Sequence, residues 1–180
     1  MTFNSMSRSN IAGIISETKC DVKNCVNNGT IYATSAHSDY YSGVAGIVSR
    51  TQAAITISGC KNYGTIEAGG SVLSGSKTML RVGGVFTNAE RIGNGAVTNC
   101  ENYGDITISH KNPGAMNSMV SGVCTVIGVG INLLELSNLH NYGDITVTKE
   151  ASFNKNLLLG GIMNVFDNPR TYKNLYNHGD

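Results

Sequence analysis

The string Asn99-Cys100-Glu101-Asn102-Tyr103-Gly104-Asp105-Ile106 returns four more times along this chain. Earlier copies read Asn24-Cys25-Val26-Asn27-Asn28-Gly29-Thr30-Ile31 and Gly59-Cys60-Lys61-Asn62-Tyr63-Gly64-Thr65-Ile66. Later copies read Asn138-Leu139-His140-Asn141-Tyr142-Gly143-Asp144-Ile145 and Asn174-Leu175-Tyr176-Asn177-His178-Gly179-Asp180. Upstream of each stands a glycine before an apolar residue: Ala12-Gly13-Ile14, Ala45-Gly46-Ile47, Gly83-Gly84-Val85, Ser121-Gly122-Val123 and Gly160-Gly161-Ile162. Two anchors recurring in one order define a tandem repeat of about 33 to 40 residues.

Each repeat position has a physical role. Val22, Ile57, Val97, Leu136 and Tyr172 close short β-type runs. Two residues on comes Asn24, Gly59, Asn99, Asn138 or Asn174, and an Asn-for-Gly exchange marks left-handed backbone, which those two residues enter most cheaply. A sharp bend is expected there. Cys25, Cys60, Cys100, Leu139 and Leu175 follow and should point inward, cysteine acting as a compact hydrophobe. Alternation then puts Asn27, Asn62, Asn102, Asn141 and Asn177 on the same inner face, where an unpaired amide is costly. Stacked coils solve this, because each amide can bond its equivalent about 4.8 Å away.

No unit can bury its apolar side alone, so burial must come from stacking. The chain is therefore expected to be all-β, a parallel β-helix-like solenoid of about five coils forming a single repeat domain over residues 1–180. A β-propeller is the alternative, but four strands per blade leave little room in units this short. The array starts without a distinct cap and stops mid-unit at Asp180, which suggests a segment of a longer protein with flanking repeats or domains. Between the anchors, 32–42, 67–80, 109–119 and 148–156 vary most, and specificity would sit on such segments.

Composition narrows the function classes. Charged residues make up 14% of the chain and the net charge is +1, with no basic stripe, which argues against nucleic-acid binding. No apolar run approaches the roughly 18 residues of a membrane span, and the first ten residues contain no signal-peptide core. Five cysteines without a Cys-x-x-Cys pair indicate neither a disulfide framework nor a zinc site, and no cofactor is implied.

The order Val82-Gly83-Gly84-Val85 followed by the Asn99–Ile106 string resembles the GLUG-type repeats of large bacterial surface proteins. The resemblance covers essentially the whole chain, although Leu139 and Leu175 replace Cys and Ser121-Gly122-Val123 replaces Gly-Gly-Ile. It implies a secreted, adhesin-like segment at the bacterial cell surface, a stalk or binding array whose partners are glycans or host or bacterial surface proteins. The expected role is thus a non-enzymatic adhesive or spacer array. A fragment of a β-helical polysaccharide lyase or hydrolase, or an accessory segment of a surface peptidase, is the alternative.

Candidate sites are few. Among the histidines, His140 and His178 belong to the repeat string, His110 stands apart from it, and His37 groups with Asp39, Tyr40 and Tyr41 in the most site-like loop. No nucleophile elbow, His-Glu-x-x-His helix or phosphate loop is present. Asp105, Asp144 and Asp180 share one position and should form an acidic column, either facing water or relieved by a bound cation. Tyr63, Tyr103 and Tyr142 make an outward aromatic stripe. Sugars could stack on it through their apolar faces, or the rings could serve as a ladder that stabilises the coils.

Overall fold

A computed structural model describes residues 2–5, 10–35, 42–70, 79–87, 93–110, 117–126, 132–149, 157–165 and 171–180. The first coil consists of β1 (Thr2–Ser5), β2 (Asn10–Ala12), β3 (Ile15–Thr18), β4 (Val22–Lys23) and β5 (Val26–Asn27). In the second lie β6 (Ile31–Ser35), β7 (Ser42–Ala45), β8 (Val48–Thr51), β9 (Thr56–Ser58) and β10 (Lys61–Asn62). Then come β11 (Ile66–Gly70), β12 (Met79–Gly83), β13 (Phe86–Thr87) and β14 (Gly93–Asn102). The fourth coil holds β15 (Ile106–His110), β16 (Asn117–Ser121), β17 (Cys124–Val126) and β18 (Asn132–Asn141). The fifth holds β19 (Ile145–Lys149), β20 (Leu157–Gly160), β21 (Met163–Val165) and β22 (Tyr172–Asn177).

Each strand pairs in parallel with its equivalents in the coils before and after, giving four sheets. The first face is β1-β6-β11-β15-β19, the second β2-β7-β12-β16-β20 and the third β3-β8-β13-β17-β21. The fourth runs β5-β10-β14-β18-β22, with β4 and β9 completing its first half. Register follows the repeat: Ile31, Ile66, Ile106 and Ile145 lie side by side, as do Asn27, Asn62, Asn102, Asn141 and Asn177. The chain is an all-β solenoid.

The interior is divided. One apolar cluster, including Ile57, Phe86, Cys100, Val123 and Leu139, fills the space between the third and fourth faces. A second, including Ile31, Ile66, Val82, Ile106 and Val120, fills the space between the first and second. Between them the two repeat anchors of each coil meet. A Cβ on Gly46 would lie 2.4 Å from the amide carbon of Asn62, and one on Gly84 the same distance from that of Asn102. The same Cβ atoms would stand 2.1 Å from the Gly84 carbonyl oxygen and 2.0 Å from that of Gly122. Glycine is required because backbone and amide close on it from two sides. The Gly-apolar strings are not continuous strand; they straddle the bend between the second and third faces.

Left-handed backbone occurs at the expected position in every coil, with φ of 55° at Asn24, 63° at Gly59, 53° at Asn99 and 52° at both Asn138 and Asn174. It breaks the strand only in the first two coils, between β4 and β5 and between β9 and β10; β14, β18 and β22 run through it, so the expected strand-ending bend is not general. The glycine of the Asn-x-Gly string acts differently. A Cβ on Gly64 would meet the Gly29 carbonyl oxygen at 2.1 Å, and Gly104 meets Gly64 at the same distance, so close coil-to-coil approach is what selects it. The first-face strands also reach further than the repeat anchors indicate, taking in residues 32–35, 67–70, 109–110 and 148–149. At the sharp second-to-third corner, side-chain oxygens and amides secure second-face carbonyls: Ser49 donates to Gly43, Thr125 to Val82 and Asn164 to Val120.

Candidate functional site

The repeat string lies on the second half of the fourth face and the turn after it, where the strands present two outer columns and two inner ones. The inner asparagines form a continuous amide ladder. Asn27 Nδ2 donates to Asn62 Oδ1, Asn62 to Asn102 and Asn102 to Asn141, each at 2.8 Å, and Asn141 donates to Asn177 at 2.9 Å. The second amide proton goes to the carbonyl two residues on, from Asn62 to Gly64, Asn102 to Gly104 and Asn141 to Gly143. Asn27, Asn62, Asn102 and Asn141 are buried. Asn177 is exposed rather than inside: among the described residues it has a coil on one side only, through Asn141. A second, exposed ladder runs along the left-handed positions, where Asn138 donates to Asn99 and Asn174 to Asn138.

Outside, Tyr63, Tyr103, Tyr142 and His178 form one ring stack, with centroids 4.6 Å apart at each step and planes within 11°. The tyrosines are 47%, 36% and 40% exposed. Both faces of Tyr103 and Tyr142 and one face of Tyr63 are covered by stacked rings, so along most of the stack ring edges and hydroxyls are what face outward. Beside it runs a column of Lys61, Glu101, His140 and Tyr176. Lys61 Nζ lies 2.8 Å from Glu101 Oε2, and the Tyr103 hydroxyl donates to the same oxygen at 2.6 Å. Partial burial raises the Glu101 pKa, but hydrogen bonds from Lys61 and Tyr103 and the Lys61 charge outweigh it, leaving the carboxyl below its usual range. The Tyr103 hydroxyl is raised in return, mainly through its bond to Glu101. His140 stacks on Tyr176 at 4.8 Å.

The acidic column is exposed and serves the backbone. Asp105 Oδ1 accepts the N–H of Asp144, and Asp144 Oδ1 that of Asp180, both at 3.0 Å. A peptide N–H thus sits between successive carboxylates. Among the described residues no three His, Cys, Asp or Glu side chains come together as a metal site. Of the cysteines, Cys60, Cys100 and Cys124 are buried, Cys25 is half-buried and Cys20 exposed, all with free thiols. Burial pushes the Cys124 thiol up to about 12.

His37, Asp39, Tyr40 and Tyr41 lie outside the described residues. The structure brings together Tyr63, Tyr103 and Tyr142 and adds His178, which shares their repeat position without being an aromatic hydroxyl. The Lys61–Glu101–His140–Tyr176 column escapes sequence reasoning because its residue type changes at every coil; its only signal is position, two residues before the ring stack. No helix among the described residues is long and apolar enough to cross a membrane. Compared with known proteins, the chain matches no family model, no curated protein and no solved structure.

Proposed function

We propose that this chain is a non-enzymatic repeat segment of a bacterial surface protein of the GLUG-repeat kind, acting outside the cell as a spacer and adhesive array for glycans or surface proteins. The observation that supports it is how the repeated polar columns are used. Asparagines bond asparagines, aspartates accept backbone N–H groups, and tyrosines stack on tyrosines, so the repeated groups are spent on holding coil to coil. Such a scaffold suits a stiff rod with a patterned face. The tyrosine hydroxyls and the Lys61–Glu101–His140 column would meet a ligand as hydrogen-bonding groups on a ring-edge surface, since both ring faces of Tyr103 and Tyr142 are occupied. Binding of the chain to a glycan array, beside a Tyr103→Ala, Tyr142→Ala variant that stays folded, tests the adhesive part. Binding lost in the variant supports this face as the site. Polysaccharide cleavage abolished by replacing a single Asp would overturn the non-enzymatic reading.

A further inference from the structure

Cys25, Cys60 and Cys100 stand at one register inside the fourth face. The Lys61 N–H bonds the Cys25 carbonyl at 2.9 Å, and the Glu101 N–H bonds that of Cys60 at 3.0 Å. Their side chains also hold one orientation. Sγ lies 3.6, 3.4 and 3.3 Å from the carbonyl oxygen two residues back, of Lys23, Ser58 and Thr98 respectively. Cys60 and Cys100 repeat a further contact, at 3.8 Å to the Val22 and Ile57 carbonyls. The sulfurs are thus related by one coil, a translation of about 4.8 Å. That is far beyond a disulfide bond of about 2.05 Å, and side-by-side Cβ–Sγ bonds do not aim at each other. It is close to twice a metal–thiolate distance of about 2.3 Å.

We propose that Cys25 and Cys60 form a two-sulfur site for a soft divalent cation that takes its ligands in line, with Hg(II) the chemical match. Two ligands suffice for linear coordination, so no third donor is needed. Thiolates favour soft ions. Charge selects the divalent case: two thiolates neutralise Hg(II), whereas a monovalent ion would leave a net negative charge against the apolar cluster. Access selects the pair. Cys25 is half-buried while Cys60 and Cys100 are fully buried, so an ion enters at the Cys25 end of the sulfur row. On binding, two S–H bonds break, two S–Hg bonds form and two protons leave to solvent, without any change of oxidation state.

The test uses the reduced full chain carrying Cys20→Ser, which removes the exposed competing thiol, titrated with mercuric chloride. The native mass spectrum should gain one mercury and lose two protons, and X-ray absorption should report two sulfurs at about 2.3 Å. Adding Cys25→Ser, with far-ultraviolet circular dichroism unchanged, should weaken binding by at least about 100-fold, since losing a ligand costs more than the 10–100-fold of losing a ligand's own hydrogen-bond partner. Adding Cys124→Ser instead should leave it intact. Coordination by one sulfur, or tight binding that survives Cys25→Ser, would overturn the proposal, as would failure of mercury to bind.

Discussion

At the scale of single residues, Asn and Gly do most of the specifying. Asn102 accepts from Asn62 and donates to both Asn141 and Gly104, so its amide is saturated inside the protein. Asn102→Ala orphans the Gly104 carbonyl and the Asn141 amide oxygen and should cost at least roughly 1–3 kcal/mol, read as a lowered thermal midpoint. Asn177→Ala, at an exposed position, should cost less. Gly59 offers the opposite experiment. It adopts φ of 63°, where the equivalent positions carry Asn, and the one atom a Cβ there would crowd is the Asn24 Oδ1, at 2.3 Å, the Asn24 backbone nitrogen lying at an ordinary 3.8 Å. That oxygen ends a rotatable side chain, and Asn tolerates this backbone region. Gly59→Asn should join Asn24 to Asn99 in one unbroken exposed ladder and raise stability by up to about 1 kcal/mol, partly by restricting the unfolded chain. A lower midpoint would count against the ladder as a stabilising feature.

At the scale of strands and their columns, electrostatics are local. The fold holds the Glu101 carboxyl below its usual range, so the charged form is the one the native state favours. Stability contributed this way is present above the ordinary carboxylate range and is lost as pH falls through the lowered native value. The stability gap between wild type and Glu101→Gln should therefore be widest near neutrality and vanish under strongly acidic conditions. It should also shrink in high salt, because Lys61 and Glu101 are partly exposed. A gap independent of pH would place the effect in packing instead. Much at this scale was legible in the sequence: strand order, left-handed positions and the amide row follow from residues that repeat. What was not legible is contact between the two anchors of one coil. Gly84 and Asn102 touch across the interior, and nothing in a linear pattern pairs them except that neither occurs without the other. The tyrosine ladder was one of two readings the sequence offered, beside an open sugar-stacking stripe; residue type could not choose between them, since ring orientation depends on rotamers shared between coils.

At the scale of the whole molecule, the solenoid is a one-dimensional stack in which each coil contacts only its neighbours, so stability is a sum of coil and interface terms. Identical substitutions should then differ by coil. A methyl group on Gly84 would lie 2.0 Å from the Gly122 backbone oxygen and 2.4 Å from the Asn102 amide carbon, with coils on both sides holding those atoms in place. Neither can retreat without breaking the ladder. Gly84→Ala should cost about 3 kcal/mol or more, at the upper end for overpacked interiors. At Gly161 the nearest atoms belong to the Asn177 side chain, at 2.6 Å, and that residue is exposed and bonded to a neighbouring coil only through Asn141, so it can shift outward at the cost of one ladder bond. Gly161→Ala should cost markedly less. Denaturant unfolding of the two variants measures the difference, and amide hydrogen exchange locates it: protection should fall across the β13–β14 and β17–β18 regions for the first, and only around β21 and β22 for the second. Equal losses at both sites would mean that the glycines are selected by backbone conformation alone and that the Gly–Asn seam does not hold the coils together.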